Sequence, residues 1–246
     1  MIVGCSRSGT SFAARMLNSA GLVLPGKHAE PDDFNLHGYF ENDRVTSING
    51  DILWGSGGHW FAPPVDLRVY SYQRAQIVQL LAWLCSVEGI VGWKDPRAVL
   101  TLPLWLDASR DLKIPVHVVG VFRNPAAVAN SIVRHERGAF DYRQALNAWC
   151  ISNTRLLDLA DAMPDRFSWF TVDQPAQHSE ANLNRIAAKI GLSRRVTIDQ
   201  AQYVCSENAS VPNTSEHVRS IHQRLMETHA AQWGIAGPIA FDACQT

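Results

Sequence analysis

Three short stretches of the chain, with one loop between them, hold the residues that could do chemistry. The first is GCSRSGTS, residues 4–11, after a short apolar opening. Gly4, Gly9 and Ser11 fall where the phosphate-loop pattern G-x-x-x-x-G-K-[ST] places its glycines and hydroxyl, but Thr10 occupies the lysine position and Arg7 stands inside the loop. Two glycines let the backbone turn tightly, so that successive amides converge on an anion, and the N-terminus of a following helix adds its dipole. Arg7, Ser8, Thr10 and Ser11 add side-chain donors. The second stretch is FRNPAAVANS, in which Ser131 lies eight residues after Arg123, about two helical turns along. Alone, this stretch is better read as a solvated arginine and a polar helix position, but beside the first loop on the same sheet edge that reading loses ground to a second phosphate site. The third is WKDPR, in which Lys94 ends a short apolar run and Asp95, Pro96 and Arg97 follow.

These residues need elements to position them. The opening MIVGC reads as a buried strand and residues 8–21 as a helix, with Phe12, Met16 and Leu17 on one face and Gly21 just past its end. A polar loop with Pro25, Gly26, Pro31 and Gly38 covers residues 22–42. A short helix is expected over residues 43–54, a Gly/Pro-rich loop over 55–64 and a long amphipathic helix over 66–87. IVGWK is a short strand, 99–111 a helix, and PVHVVGVF a continuous apolar strand. NPAAVANSIVRHE opens a helix with proline near its first turn. A second helix follows at 141–163, then the strand RFSWFTV, a helix ending near Gly191, an irregular tail and a last helix at 214–233. Strands alternating with helices imply right-handed crossovers and a parallel sheet covered on both faces, with ligands at the carboxyl ends of the strands. CSRSGTS, KDPR and FRNP all leave such ends, and two anion sites on one sheet edge suit a nucleotide with two separated phosphates.

Composition bounds the class. The chain has 246 residues, 46% of them hydrophobic and 18% charged, enough for one α/β domain over residues 1–246 with a full core. A net charge of −1 advertises neither nucleic acid nor an anionic membrane as partner. The five cysteines (Cys5, Cys85, Cys150, Cys205 and Cys244) are widely spaced with no C-x-x-C pair, which argues against a zinc site or disulfide framework. With no signal peptide and no membrane-length apolar run, a cytoplasmic protein is expected. The strand before the first loop has only three residues, where a buried strand usually runs about 5–6, so a natural start upstream of Met1 is left open.

GCSRSGTS together with FRNPAAVANS resembles the sulfotransferase superfamily, which uses 3′-phosphoadenosine 5′-phosphosulfate (PAPS). Arg7-Ser8-Gly9-Thr10-Ser11 is similar to that family's [KR]-S-G-T-[ST] loop, which cradles the 5′-phosphosulfate, and Arg123 with Ser131 matches its R-x(7)-S unit, which grips the 3′-phosphate. FNLHGYFEND and GWKDPRAVL look like the bacterial branch, and the likeness runs to about residue 190. The resemblance implies a three-layer α/β sandwich with a central parallel sheet, P-loop NTP hydrolase-like in fold. It implies PAPS as cosubstrate, 3′,5′-ADP as product, no metal, and a hydroxyl or amine acceptor on a carbohydrate or small metabolite. It implies Arg7 and Lys94 on the leaving phosphate and a glutamate or a histidine as general base, for which Glu41 in GYFE is favoured over Glu30. Asp32, Asp33 and His37 share that loop, whereas His28, His37 and His59 are not expected to be catalytic. Trp54, His59, Trp60 and Phe61 are either acceptor contacts or core anchors. Whether the protein is a homodimer is left open. Two rivals remain: a Mg²⁺-dependent P-loop phosphotransferase, disfavoured by Thr10 at the lysine position, and an inactive nucleotide-binding relative.

Overall fold

The computed structural model describes residues 1–28, 30–32, 35, 37–199, 203 and 214–234. Its elements run β1 (Ile2–Gly4), α1 (Thr10–Ser19), α2 (Asp43–Gly55), α3 (Ser71–Cys85), α4 (Ala98–Asp111), β2 (Val118–Phe122), α5 (Pro125–His135), α6 (Tyr142–Ala162), β3 (Phe167–Thr171), α7 (Ala176–Lys189) and α8 (Glu216–Trp233). A short 3₁₀ turn at Pro164–Arg166 leads into β3. The chain is thus α/β, and the three strands among the described residues form a parallel sheet in the order β1-β2-β3. Ile2 lies opposite Val119, and Val118 opposite Phe167.

All three strands are buried throughout, as expected where helices cover both faces of a parallel sheet. Alternation along the strands divides the core in two. Ile2, Val119, Val121 and Phe170 face α1 and α7, while Val3, Val118, Phe122, Phe167 and Trp169 face the side covered by α4, α6 and α8.

The strand expected at IVGWK is reduced to single parallel bridges. The Ile2 amide donates to Trp93 O at 3.0 Å, and Val23 and Val91 pair through Val23 N to Ile90 O and Gly92 N to Val23 O, each 2.8 Å. Residues 91–94 therefore lie along the free edge of β1, with Val23 beyond them. Asp95 and Pro96 turn the chain straight into α4, so the ladder stops at Lys94. β1 leads into α1 on one face of the sheet, whereas β2 and residues 91–94 lead into α5 and α4 on the other, so the loop after β1 emerges where ligands collect in open α/β sheets.

The helix expected over 66–87 starts at Ser71 instead. The Ser56 hydroxyl accepts from Arg68 N at 2.8 Å, and the Gln73 side chain accepts from Tyr70 N at 2.9 Å, which fixes Tyr70 as an extended N-cap. The other expected helices form within a few residues of their expected bounds. Cys5, Cys85 and Cys150 are free thiols, while Cys205 and Cys244 lie outside the described residues, as does most of the irregular tail. Among the described residues no helix is long and apolar enough to cross a membrane.

Candidate functional site

The loop between β1 and α1 is shaped by close approach. A side chain at Gly4 would meet Val121 O at 2.2 Å, and one at Gly9 would meet a Val172 methyl at 2.7 Å, while Gly9 has φ of 93°. Arg7 also has a positive φ of 67°, an arrangement that costs an L-residue about 1–2 kcal/mol. Strain of this kind persists where surrounding structure imposes it and collects at functional sites. Helix α1 begins at Thr10 with no side-chain cap and no acidic residue in its first turn, so its N-terminus is electropositive. The Ser8 hydroxyl is fully buried without a hydrogen-bond partner.

The loop meets the end of β2 and the start of α5. Asn124 caps α5 by accepting from Ala126 N and Ala127 N, and Pro125 fills its first position, which sets the helix direction and carries Ser131 back toward the loop. Arg7 Nε donates to Ser131 Oγ at 3.0 Å, and Arg123 donates to Arg7 O at 3.3 Å. The sequence reading gave Arg7 and Ser131 to two separate anion sites, whereas here they touch and form one continuous cationic strip. Burial, with Arg123 nearby, lowers Arg7 from its ordinary value, yet a guanidinium stays charged. Asp173, just past β3, anchors the far side of the strip: it accepts from Asn124 N and lies 3.9 Å from Arg123 Nε.

Lys94 is the most enclosed cation of the site, 1% exposed. Its ammonium donates to Glu41 Oε1 at 2.6 Å, and to Ser11 Oγ and Tyr39 O at 3.1 Å each. Burial lowers its pKa from the ordinary lysine value and Glu41 opposes that shift. Lys94 thus forms a buried ion pair with Glu41 and not a surface pair with its chain neighbour Asp95. Asp95 instead binds Arg97 at 2.9 Å and accepts from Asn49 Nδ2 at 2.8 Å. Asn49 itself accepts from Thr101 and Trp105. Arg97 donates to Glu41 Oε2 at 3.2 Å and lies 4.4 Å over the Trp60 ring.

These groups line one cavity of about 350 Å³ at the carboxyl edge of the sheet, where four cationic side chains (Arg7, Lys94, Arg97 and Arg123) face one carboxylate, Glu41. Gly9, Thr10 and Ser11 line it too. Glu30 is exposed and does not line the cavity, and Asp33 lies outside the described residues. Ser8 and Ser131 sit behind the lining rather than on it. His37 is exposed and His28 holds Leu24 O at 2.9 Å, away from the cavity.

Sequence reasoning missed Tyr39, Trp60 as the partner of Arg97, Asn49, Asp173 and His135. Tyr39 was within sight, because it stands in the GYFE motif that supplied Glu41. The Tyr39 hydroxyl donates to Asp32 Oδ2 at 2.8 Å and lies 3.3 Å from His135 Nε2. Burial, then the hydrogen bond to Asp32, raises Tyr39 to about 12. No local pattern marks His135, at the last position of α5.

No protein-family model, curated protein or solved structure matches the chain. The site is therefore read from its own geometry. A glycine-turned loop, an uncapped helix N-terminus and converging arginine and lysine side chains are chemistry for an anion, and a phosphate or sulfate ester is the group such donors hold best. Next to this cavity lies a second of about 360 Å³ that shares Trp60 and Arg97 and is lined by Trp54, His59, Glu136 and Phe140. Trp54 is 71% exposed, whereas Phe61 is buried and belongs to the core.

Proposed function

We propose that the protein is a sulfotransferase that moves the sulfuryl group of PAPS to an acceptor hydroxyl or amine. The observation that carries this reading is the placement of Arg7, within the glycine loop, and Arg123, just past β2, in one cavity. The parallel sheet, with that loop leaving the end of β1, is compatible with a P-loop-like fold. The loop amides, Arg7 and the first turn of α1 would hold the 5′-phosphosulfate. Arg123 and Ser131 would hold the 3′-phosphate, once Ser131 exchanges Arg7 for the ligand. Lys94 would meet the bridging oxygen on which charge grows as the S–O bond breaks.

Several features fit such a ligand. A side chain at Gly9 would collide with Val172, so the loop keeps its backbone bare. The buried Ser8 hydroxyl is an orphan donor within the same turn. The positive charge comes from side chains, so the reading asks for no metal. Thr10, not lysine, follows Gly9, which removes the cation a kinase places on its β- and γ-phosphates. The second cavity suits the acceptor, since exposed aromatic faces such as Trp54 pack against sugar rings or flat hydroxyl compounds.

Calorimetry and thermal shift with 3′,5′-ADP against ATP, each with and without Mg²⁺, test the reading. Tight 3′,5′-ADP binding that ignores Mg²⁺ is expected. ATP binding strengthened by Mg²⁺, with no response to 3′,5′-ADP, would favour a phosphotransferase and remove the proposal. Tight PAPS binding with no transfer to a broad acceptor panel would favour an inactive relative.

A further inference from the structure

The end of the sheet away from the anion site carries a cavity of its own, of about 580 Å³. Ile2 and Val119, at the starts of β1 and β2, line it, so it lies at the amino edge of the strands. It occupies the seam between the two halves of the core. Leu17 and Leu22 belong to one half, and Leu81, Leu84 and Trp93 to the other. Ile90, exposed, and Val116 and Ile190, half-buried, carry the apolar lining out to the surface. A protein interior normally closes such a seam by packing, because empty apolar space forfeits dispersion contacts. A cavity of a few hundred Å³ with mainly apolar walls is instead the usual form of a small-molecule site.

The lining sets the chemistry of an occupant. Its side chains are mostly branched aliphatic, with one aromatic ring, Trp93, and no carboxylate. The backbone of its wall is already paired: Gly92 N donates to Val23 O, and Ile90 O accepts from Val23 N. His117 Nε2 is taken by Ser168 Oγ at 2.9 Å, and burial, then the charge of Lys189, holds that ring near 4, so it is neutral. The charged end is marked by Arg166. It precedes Phe167, the register partner of Val118, and so stands beside His117. Arg166 is exposed and has no ion pair among the described residues. Walls that offer no hydrogen bond, with a guanidinium at one end, suit an alkyl chain that carries an anion at its tip.

We propose that this cavity binds a free single-chain carboxylate of the fatty-acid kind, with its chain among Leu17, Leu81, Leu84 and Trp93 and its head toward Arg166. The inference stands apart from the sulfotransferase reading, whose residues line the cavity at the other edge of the sheet. Each methylene transferred from water into such walls tightens binding about 3–4-fold, whereas an exposed ion pair adds at most about fivefold. The chain therefore supplies most of the affinity and Arg166 sets the orientation. The occupant is a free molecule and not a bilayer, because Glu88 and Asp165 are exposed acids beside the lining residues and would repel an anionic surface.

Calorimetry on the full chain with hexanoate, octanoate and decanoate, each below its micellar concentration, tests the proposal. Saturable one-to-one binding that tightens about 3–4-fold per methylene is expected. Val116→Trp and Ile90→Trp each bring an indole into the cavity from a position that is not fully buried, and circular dichroism checks that both variants fold. Each is expected to weaken decanoate about tenfold or more, the worth of two excluded methylenes. Arg166→Glu is expected to weaken decanoate about 2–5-fold and to leave decanol unchanged. Absence of saturable decanoate binding overturns the proposal, as does wild-type affinity in either folded tryptophan variant. An equal effect of Arg166→Glu on decanoate and decanol overturns it too. Two other occupants have their own signatures. A dimer in sedimentation that Val116→Trp dissociates, without decanoate binding, gives the face to a second copy of the chain. Co-sedimentation with phosphatidylglycerol vesicles, without decanoate binding, gives it to a membrane. Either result overturns the proposal.

Discussion

Replacing Glu41 by glutamine should expose how much of the site is held by one ion pair. Lys94 keeps its contacts with Ser11 Oγ and Tyr39 O, and Arg97 keeps Asp95 and Trp60, but Lys94 loses the carboxylate that chiefly opposes its burial. Breaking a buried pair costs about 3–5 kcal/mol. The glutamine oxygen can still accept a hydrogen bond, and the Glu41 side chain is 12% exposed, so the lower end, about 3 kcal/mol, applies. At about 2–4 °C per kcal/mol for a chain of this size, Tm should fall by roughly 6–12 °C at neutral pH. The pH dependence has a definite sign. Lys94 already titrates below the ordinary lysine value of 10.5 in the folded protein, and loss of Glu41 lowers it further. Where it has become neutral in the variant but stays charged in the wild type, the unfolded variant binds more protons than the folded one. There the deficit narrows as pH rises, by up to about 1.4 kcal/mol per pH unit. Urea unfolding from neutral pH toward 10 measures both quantities. A variant as stable as wild type at neutral pH, or a deficit that grows with pH, would refute this account of the pair.

Arg123→Ala should weaken 3′,5′-ADP binding by about 10–100-fold, the worth of a charged hydrogen bond, while barely affecting 5′-AMP; equal losses in calorimetry would count against a 3′-phosphate role. Asn49→Ala should cost about 3–5 kcal/mol, because Asp95, Thr101 and Trp105 lose one shared buried partner. A loss in urea unfolding no larger than that of a surface alanine would contradict it. His222 and His229 are both held near 4 by burial. Their folded values lie below the unfolded value of 6.5, so the stability they contribute is full above about 6.5 and is lost as pH falls toward 4. Replacing His229 by asparagine should flatten that acid loss in a pH series of melting curves, and an unchanged acid limb would contradict the assignment.

Much of the site was legible because its residues sit at fixed offsets from strand ends. The apolar runs at β1 and β2 mark where two strands stop, and the residues at those stops, Arg7 and Arg123, must share an edge if the strands are parallel neighbours. Lys94 followed by the same logic, although its strand survives only as bridges. The partners were not legible. Lys94 and Glu41 are 53 residues apart, Arg7 and Ser131 are 124 apart, and Tyr39 meets His135 across 96. Nothing periodic links such pairs.

What the sequence by itself determined is therefore the local chemistry: a bare glycine loop, a helix that opens behind it, and cations stationed at strand ends. These depend on φ preference, capping and hydrophobic period, all of which act within a few residues. Tertiary structure alone decided which charges neutralise one another. It spent the Glu41 carboxylate on Lys94 and Arg97, joined Arg7 to Ser131, and brought the His135 ring to the same cavity. Electrostatic pairing depends on distance through space and on exclusion of water, and both are set only when the sheet and its two helical layers have packed.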